Sequence, residues 1–255
     1  YTSSNESVAT IVGGKVHIVG LGSTTITGLQ AESINYNASG LVSQTLKVLP
    51  APLAAWDLYN FNPSAVQQSV TSVNASQVAS GFSVTPSLSM GNMANVTNAG
   101  NRYRFTSSDW PYLVSSSVDS PSIDLATGKY MSVVIQSNPG KSMSLSSINA
   151  SFRGGAISSE LKSQFAYSTD GTNFTLIGEN PTTFSGISGA RFYSDIDLSG
   201  IAALQNLPAG TTVTLRYYAS GKSNLTTSTA GQKAWGFFSD FVENNTRALI
   251  IGGTV

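Results

Sequence analysis

The sequence predicts an all-β chain of two domains, the larger of which is an antiparallel β-sandwich. Three observations support this prediction. Apolar and polar residues alternate with a period of two over many short segments, as they do in strands that bury one face. Turns rich in glycine and asparagine separate these segments. Only residues 64–79 and 201–207 have the composition of short helices.

The first strands lie before residue 50. Alternation predicts strands over residues 16–19, 24–27 and 42–48. Gly13 and Gly14 precede the first of these strands and predict a two-residue hairpin turn. Both turn positions need a positive φ, and glycine adopts it without a steric penalty.

Two prolines divide the chain. The segment Leu49-Pro50-Ala51-Pro52 cannot lie within a sheet ladder, because proline has no backbone N–H to donate, so it predicts a short stiff linker. The predicted domains are therefore residues 1–48 and residues 53–255, joined by a linker at 49–52.

The strand pattern continues through the larger domain. Predicted strands there cover residues 102–105, 130–135, 144–152, 164–168, 174–177, 211–218 and 249–251. Asp170 and Gly171 end one of these strands and predict a tight turn, since Asp-Gly is a strong turn signal. Many short strands with turns between them favour an antiparallel sandwich.

Composition narrows the classes of function. Charged residues make up 10% of the chain and the formal net charge is zero, so nothing favours nucleic acid or an anionic membrane as a partner. No stretch approaches the roughly 18 consecutive apolar residues of a membrane-spanning helix. The absence of cysteine excludes disulfides, thiolate metal sites and a cysteine nucleophile. The many Ser, Thr and Asn residues favour a location outside the cell.

Short motifs run through the first 48 residues: YTSSN at 1–5, VAT at 8–10, GLGSTTIT at 20–27, NYNA at 35–38 and VSQTL at 42–46. This set resembles the C-terminal half of the bacterial immunoglobulin-like repeats found in secreted and surface proteins. The resemblance implies that residues 1–48 form a partial immunoglobulin-like domain that lacks the first strands of the repeat.

A second set of motifs covers the larger domain: AWD at 55–57, MSLSSI at 143–148, YSTDGTNF at 167–174, DIDLSG at 195–200, LPAGT at 207–211 and IGGTV at 251–255. These motifs resemble a large β-sandwich module, often of jelly-roll topology, of multimodular secreted bacterial proteins. The resemblance implies an extracellular, non-catalytic module, and it transfers no active site to this sequence.

Side chains that could carry catalysis are few. His17 is the only histidine and lies within a predicted strand, so neither a Ser/His/Asp triad nor a multi-histidine metal site is expected. Asp195 and Asp197 lie on one face of a strand, at a spacing that suits paired catalytic carboxylates. A framework role is favoured for this pair over a calcium ligand or catalysis. We expect no enzyme activity and no catalytic residue.

Three carboxylates near the first and last strands of the sandwich are candidate ligands for a bound cation. Asp57, Asp240 and Glu243 are the candidate ligands, and Ca²⁺ is the ion that such oxygen ligands suit. Their spacing matches no calcium-binding loop. The prediction is therefore that the protein holds no cofactor, with Ca²⁺ as the alternative.

Trp110 and Tyr112 are candidate carbohydrate-binding residues. They follow Ser107-Ser108-Asp109 in a loop or at a strand edge, where an exposed ring can stack on the C–H face of a sugar. Packing in the core is the other interpretation of this pair.

Residues 1–48 are too few to bury an independent core without disulfides or metal. Their apolar positions would form one side of a core, and we expect another chain to supply the other side. The predicted subunit-contact residues are Val8, Ile11, Val16, Ile18, Ile26, Leu46 and Val48. The candidate donors are residues 248–255 of a neighbouring copy and a strand of that copy's large sandwich.

These interpretations favour a non-catalytic structural subunit of an extracellular filament or cell-surface assembly of a secreted bacterial protein. Copies would join head-to-tail by strand complementation into a homopolymer, with no nucleic-acid partner and no membrane span. The alternative is a carbohydrate-binding module of a secreted multimodular enzyme, with a polysaccharide as its partner.

Overall fold

The computed structural model describes residues 1–48, 52–59, 71–82, 84–93, 104–114, 119–154, 158–185, 191–223, 234–239 and 247–255. Within these residues the protein is all-β, as predicted, and its only helical segment is one 3₁₀ turn, Ala202–Leu204. The chain divides into two compact units, Tyr1–Ala51 and Pro52–Val255, which we call unit 1 and unit 2.

Unit 1 contains a small sheet and a hairpin. Its strands are β1 (Thr2–Ser3), β2 (Ala9–Val12), β3 (Lys15–Ile18), β4 (Gly22–Gly28) and β5 (Val42–Val48). The sheet has the order β1-β4-β5 and is antiparallel, while β2 and β3 pair as a hairpin. Gly13 and Gly14 have φ values of 55° and 75°, which confirms the predicted two-residue turn.

Hydrogen bonds around Thr24 join the start of the chain to β4. The Thr24 hydroxyl lies 2.8 Å from the Ser3 hydroxyl and accepts a hydrogen bond from the Asn5 amide at 2.9 Å. Val8 and Ala9 are the only buried apolar residues among the described residues of this unit. A core of two small side chains is much smaller than that of an ordinary domain, so most apolar surface of unit 1 stays accessible.

Unit 2 contains many short strands. They are β6 (Ala54–Trp56), β7 (Ser72–Asn74), β8 (Gln77–Val78), β9 (Ser87–Ser89), β10 (Arg104–Ser107), β11 (Tyr112–Val114), β12 (Tyr130–Gln136), β13 (Ser144–Gly154), β14 (Ser158–Ser168), β15 (Thr175–Leu176), β16 (Thr182–Ser185), β17 (Arg191–Asp197), β18 (Thr212–Ser223), β19 (Trp235–Phe238) and β20 (Leu249–Thr254).

Two large sheets form a sandwich from these strands. The first sheet has the order β10-β19-β13-β20-β6-β8, and β17 pairs with β13 along its other side. The second sheet has the order β15-β14-β18-β12-β9-β7, with β16 also paired to β14. Pairing is antiparallel apart from β11, which runs parallel to β18.

Aromatic rings fill much of the core of unit 2. The Phe152 ring packs on Tyr217, Phe237 and Trp235 at centroid distances of 4.8, 5.2 and 5.7 Å. Trp235 donates its indole N–H to the Tyr217 hydroxyl at 2.8 Å, so this buried polar group has a partner. Burial raises the pKa of Tyr217 above its ordinary value, because the phenolate would lose its hydration.

Two sequence predictions are wrong. The described part of residues 64–79 is not helical: β7 and β8 lie there and pair with β9 and β6, while residues 60–70 lie outside the described residues. The donor prediction for residues 248–255 also fails. β20 pairs with β13 along its length, and its residues 249–251 also pair with β6 on the other side, so it is an inner strand of its own sheet rather than one free to be donated.

Candidate functional site

An open apolar groove lies in unit 1 and has a volume of about 1060 Å³. The side chains that line this unit 1 groove are uncharged. The apolar ones include Tyr1, Val16, Ile18, Ile26, Leu29, Val42 and Leu46. Apart from Tyr1, which precedes β1, they come from β3, β4, β5 and the loop after β4, so the groove faces one side of the small sheet. Because its walls are apolar and open, the groove suits an apolar segment of another polypeptide.

The predicted subunit-contact residues fall into three groups. Val16 and Ile18 line the groove and are 45% and 49% exposed, while Ile26 and Leu46 line it and are half-buried. Val8 is buried, which corrects its assignment as a contact residue, because its side chain already packs within unit 1. The remaining two, Ile11 and Val48, are half-buried and lie outside the groove lining.

Two strands beside the groove have an unpaired edge. Among the described strands, β5 pairs with β4 alone and β3 pairs with β2 alone. An unpaired edge presents a row of backbone N–H and C=O groups that can bond to a further strand. The groove therefore offers main-chain hydrogen bonds at its rim and apolar contacts along its floor.

Trp110 lies in the core, which corrects the expectation of an exposed ring. Its side chain is 4% exposed, and its indole N–H donates to the Trp235 carbonyl at 2.9 Å. The ring also meets Tyr217 edge-on at 5.8 Å. Tyr112 is half-buried and packs against the same core, close to Gly221. A ring enclosed as Trp110 is cannot stack on a sugar.

The predicted metal ligands do not form a visible cation site. Asp57 accepts the backbone N–H of Tyr59 at 2.8 Å, which is an ordinary turn contact. Asp240 and Glu243 lie outside the described residues. In the described ranges, no group of three or more His, Asp or Glu side chains is placed to hold a metal ion.

The paired carboxylates have framework partners. Asp195 accepts a hydrogen bond from the Asn149 side chain at 2.6 Å, across the pairing of β17 with β13. Asp197 accepts the backbone N–H of Ser199 at 2.8 Å. The Ser199 side chain and backbone hold the pKa of Asp197 below its ordinary value. His17 is exposed on β3 opposite Thr10.

The sequence analysis did not identify an arginine clamp on unit 2. The guanidinium of Arg216 lies between the rings of Tyr130 and Phe174, at 4.0 and 3.6 Å from the two ring centroids. These residues come from β18, β12 and the loop before β15, so no local motif links them. A different pair, Arg104 and Arg153, shares the ring of Phe238 at 5.8 and 5.3 Å.

The two arginine sites differ in charge, because two guanidinium groups share the ring of Phe238 whereas the two rings beside Arg216 hold one. Burial, and to a smaller extent the positive charge of Arg153, together lower the pKa of Arg104 to about 10. Arg216 is half-buried at the sandwich surface.

Comparisons with known proteins do not assign the chain to a family. No family model matches the chain, and no curated protein matches it. Across the described residues, no helix is both long enough and apolar enough to cross a bilayer.

Three solved chains share weak structural similarity with this one. The first, from the T13 IBDV viral particle, has 12% identity and a TM-score of 0.33, covering 71% of this chain and 39% of that one. A chain of the infectious bursal disease virus Gx strain has 9% identity, a TM-score of 0.28 and coverage of 96% and 58%. A Gt strain chain has 13% identity, a TM-score of 0.28 and coverage of 91% and 69%. Similarity at this level carries no inference about function.

Proposed function

We propose that the chain is a non-catalytic structural subunit of an extracellular filament or cell-surface assembly, in which the unit 1 groove receives an extended strand of a second copy. The observation that carries this proposal is the groove itself, an apolar surface bordered by two strands that each have an unpaired edge. Strand addition uses both features, since the edge supplies main-chain hydrogen bonds and the floor holds alternate side chains.

The apolar contacts are large enough to matter. Val16, Ile18, Leu29 and Val42 are each between 45% and 72% exposed. Covering the exposed part of each side chain contributes about 1 kcal/mol to the free energy of association, or about 4 kcal/mol for the four. The main-chain hydrogen bonds of an added strand come in addition, and together they offset the cost of ordering the strand.

Charge favours a second copy as the partner. The chain has a formal net charge of zero, so two copies approach without net repulsion. The groove lining has no charged side chain and therefore favours an alternating strand with one uncharged face. The groove and the donated strand are different surfaces, so the contact is head-to-tail and produces an open polymer rather than a closed dimer.

The donor is an edge strand of the large sandwich. β20 is excluded because it is an inner strand of its own sheet. Of the described strands at sheet edges, β17 is the longest, with seven residues, and it pairs with β13 alone. Its length equals that of β5. One of its faces, formed by Phe192, Ser194 and Ile196, is uncharged, while Tyr193, Asp195 and Asp197 lie on the other.

The first experiment measures self-association. Sedimentation velocity of the full chain over a wide concentration range should show growing polymers, and electron micrographs should show filaments. Ile18→Asp places a carboxylate in the groove, and we expect it to weaken association at least about tenfold, because a charge in an apolar contact must be desolvated. His17→Asp is the matched control: it adds the same charge at the neighbouring exposed position and should leave association unchanged.

A second experiment locates the contact. The chain has no cysteine, so Gln44→Cys in one copy and Tyr193→Cys in another give a clean test when the two are mixed and oxidised. A mixed disulfide, or one at a neighbouring position of β17, supports the proposed pairing. Two results would overturn the proposal. The wild-type chain stays monomeric at the highest concentration, or the Ile18→Asp variant associates as strongly as wild type does.

A further inference from the structure

We propose that the outer face of the second sheet of unit 2 carries a binding site for the carboxylate of an acidic saccharide of the hexuronate class, centred on Arg216. This site is in unit 2 and does not depend on the assembly proposed for unit 1. Two aromatic rings hold the guanidinium, it has no anionic partner among the described carboxylates, and neutral hydroxyl groups surround it.

The two rings hold the guanidinium in one plane. The guanidinium carbon lies over the ring of Tyr130 and over the ring of Phe174, at 4.0 and 3.6 Å from the two centroids. Arg216 also donates from Nη1 to the Tyr218 hydroxyl at 3.3 Å. A guanidinium fixed in this way loses little freedom when a planar anion binds its edge, which is the geometry that favours arginine over lysine.

The position of Phe174 is built into the preceding turn. Asp170 accepts the backbone N–H groups of Thr172 and Asn173, both at 2.8 Å, and the Asn173 side-chain amide at 2.7 Å. Because Phe174 follows this turn directly, the turn fixes where the chain leaves β14 and places the ring over Arg216.

Arg216 lacks an anionic partner. None of the described carboxylates forms an ion pair with it. Its Nε–H is buried and has no hydrogen-bond partner in the described part of the chain. A half-buried charge without a counter-charge is unfavourable, and the rings compensate it only in part. Two rings lie over the guanidinium carbon, so we infer that an anion approaches along the edge of the group.

The neighbours of Arg216 are neutral and rich in hydroxyl groups. Arg216 lies opposite Ser132 in the pairing of β18 with β12, and the hydroxyls of Ser132 and Ser89 are 2.8 Å apart. Thr214 lies on the same face, opposite Val134, which is 49% exposed. One positive charge among hydroxyl groups suits a sugar unit with one carboxylate and several hydroxyls, as each unit of a hexuronate chain has. A phosphate polymer needs several cations instead, and an apolar patch beside the arginine suits the C–H face of a sugar.

The test measures binding of tetragalacturonate to the full chain by titration calorimetry, with maltotetraose as the uncharged oligosaccharide of equal length. We expect wild type to bind tetragalacturonate at least tenfold more tightly than maltotetraose. Arg216→Met keeps part of the stem and removes the charge, and should weaken binding at least tenfold. Arg216→Lys keeps the charge without the planar edge and should give an intermediate loss. Lys162→Met removes another cation of the same sheet and should have no effect.

Three outcomes would overturn the proposal. The first is that wild type does not bind tetragalacturonate. The second is that Arg216→Met binds it as well as wild type does. The third is that acetyl-triglycine, a peptide carboxylate, binds to wild type as tightly as tetragalacturonate does. If Arg216→Met does not fold, as judged by its melting curve, the Arg216→Lys variant and the ligand-induced shift of the Arg216 side-chain NMR signal decide the question. A shift confined to Arg216 and its two rings supports the site, and unchanged signals there refute it.

Discussion

The two units of this chain differ in the burial of their apolar residues. Unit 2 encloses them between two large sheets, where Trp56, Trp235 and Phe237 are fully buried. In unit 1 only Val8 and Ala9 are buried among the described apolar residues, and most of the exposed large apolar side chains of the described chain belong to this smaller unit. The comparison teaches that the same alternating pattern builds a closed core in one unit and an open surface in the other.

The number of strands explains much of this difference. The described strands of unit 1 form one small sheet and a hairpin, whereas those of unit 2 form two large sheets that cover each other. Our proposal for unit 1 follows from its uncovered face, while the proposal for Arg216 concerns the outer face of a unit whose inner faces are already covered. The contrast between the filled core of unit 2 and the uncovered face of unit 1 can be tested by mutation.

The largest effect is expected in the core of unit 2. Phe152→Ala removes a ring that packs on four other rings, and we expect it to lower the free energy of unfolding of unit 2 by about 3–5 kcal/mol. The matched truncation in unit 1, Ile18→Ala, removes a side chain that is 49% exposed and should cost about 1 kcal/mol or less in the monomer.

Urea unfolding, followed by tryptophan fluorescence for unit 2 and by residue-resolved NMR for unit 1, measures both costs. The three tryptophans of the chain all lie in unit 2, so the fluorescence signal reports on that unit alone. An equal cost for the two truncations would show that unit 1 has a filled core and would remove the basis of the contrast.

A smaller effect is expected at Trp110. Trp110→Phe keeps a ring in the core but leaves the buried Trp235 carbonyl without its indole donor. We expect a loss of about 1–3 kcal/mol in the stability of unit 2, the usual cost of leaving a buried polar group unpaired.

The same variant also tests the corrected role of this residue. Because Trp110 is enclosed, tetragalacturonate should bind Trp110→Phe as it binds wild type at a temperature where both are folded. A selective loss of sugar binding without loss of stability would return Trp110 to a surface role.

The smallest effect concerns pH and the turn that precedes Phe174. Hydrogen bonds from the Asn173 side chain, from the Asn173 and Thr172 backbone and from Ser168 hold the pKa of Asp170 well below its ordinary value. A carboxyl with a depressed pKa stabilises the folded state above the unfolded-state pKa of about 4, and this contribution is lost as pH falls toward the folded-state pKa.

We therefore expect the melting temperature of wild type to fall between pH 5 and pH 2 more steeply than that of Asp170→Asn, which cannot titrate at this position. Glu179→Gln is the control, because it removes an exposed carboxyl without touching the turn. Parallel melting curves for wild type and Asp170→Asn across this range would contradict the proposed role of the turn.

Local sequence determined the all-β class and several individual elements. β5 coincides with the predicted strand at 42–48, and β12, β13 and β18 lie over predicted segments. The Gly13-Gly14 turn was also predictable, because a positive φ at two adjacent positions is a local requirement that glycine meets at any site. These features depend on residues close together in the chain, so the sequence alone contains the information.

Only the tertiary structure decided which surfaces are filled and which side chains meet. Trp110 finds its partner Trp235 at a distance of 125 residues along the chain, and Arg216 meets Tyr130 and Phe174 from three different segments. Residues 71–79 form strands against their helical composition because β9 and β6 offer them edges to pair with. The burial of Trp110 and the position of Arg216 between two rings depend on packing between distant strands. A local sequence pattern does not encode such packing.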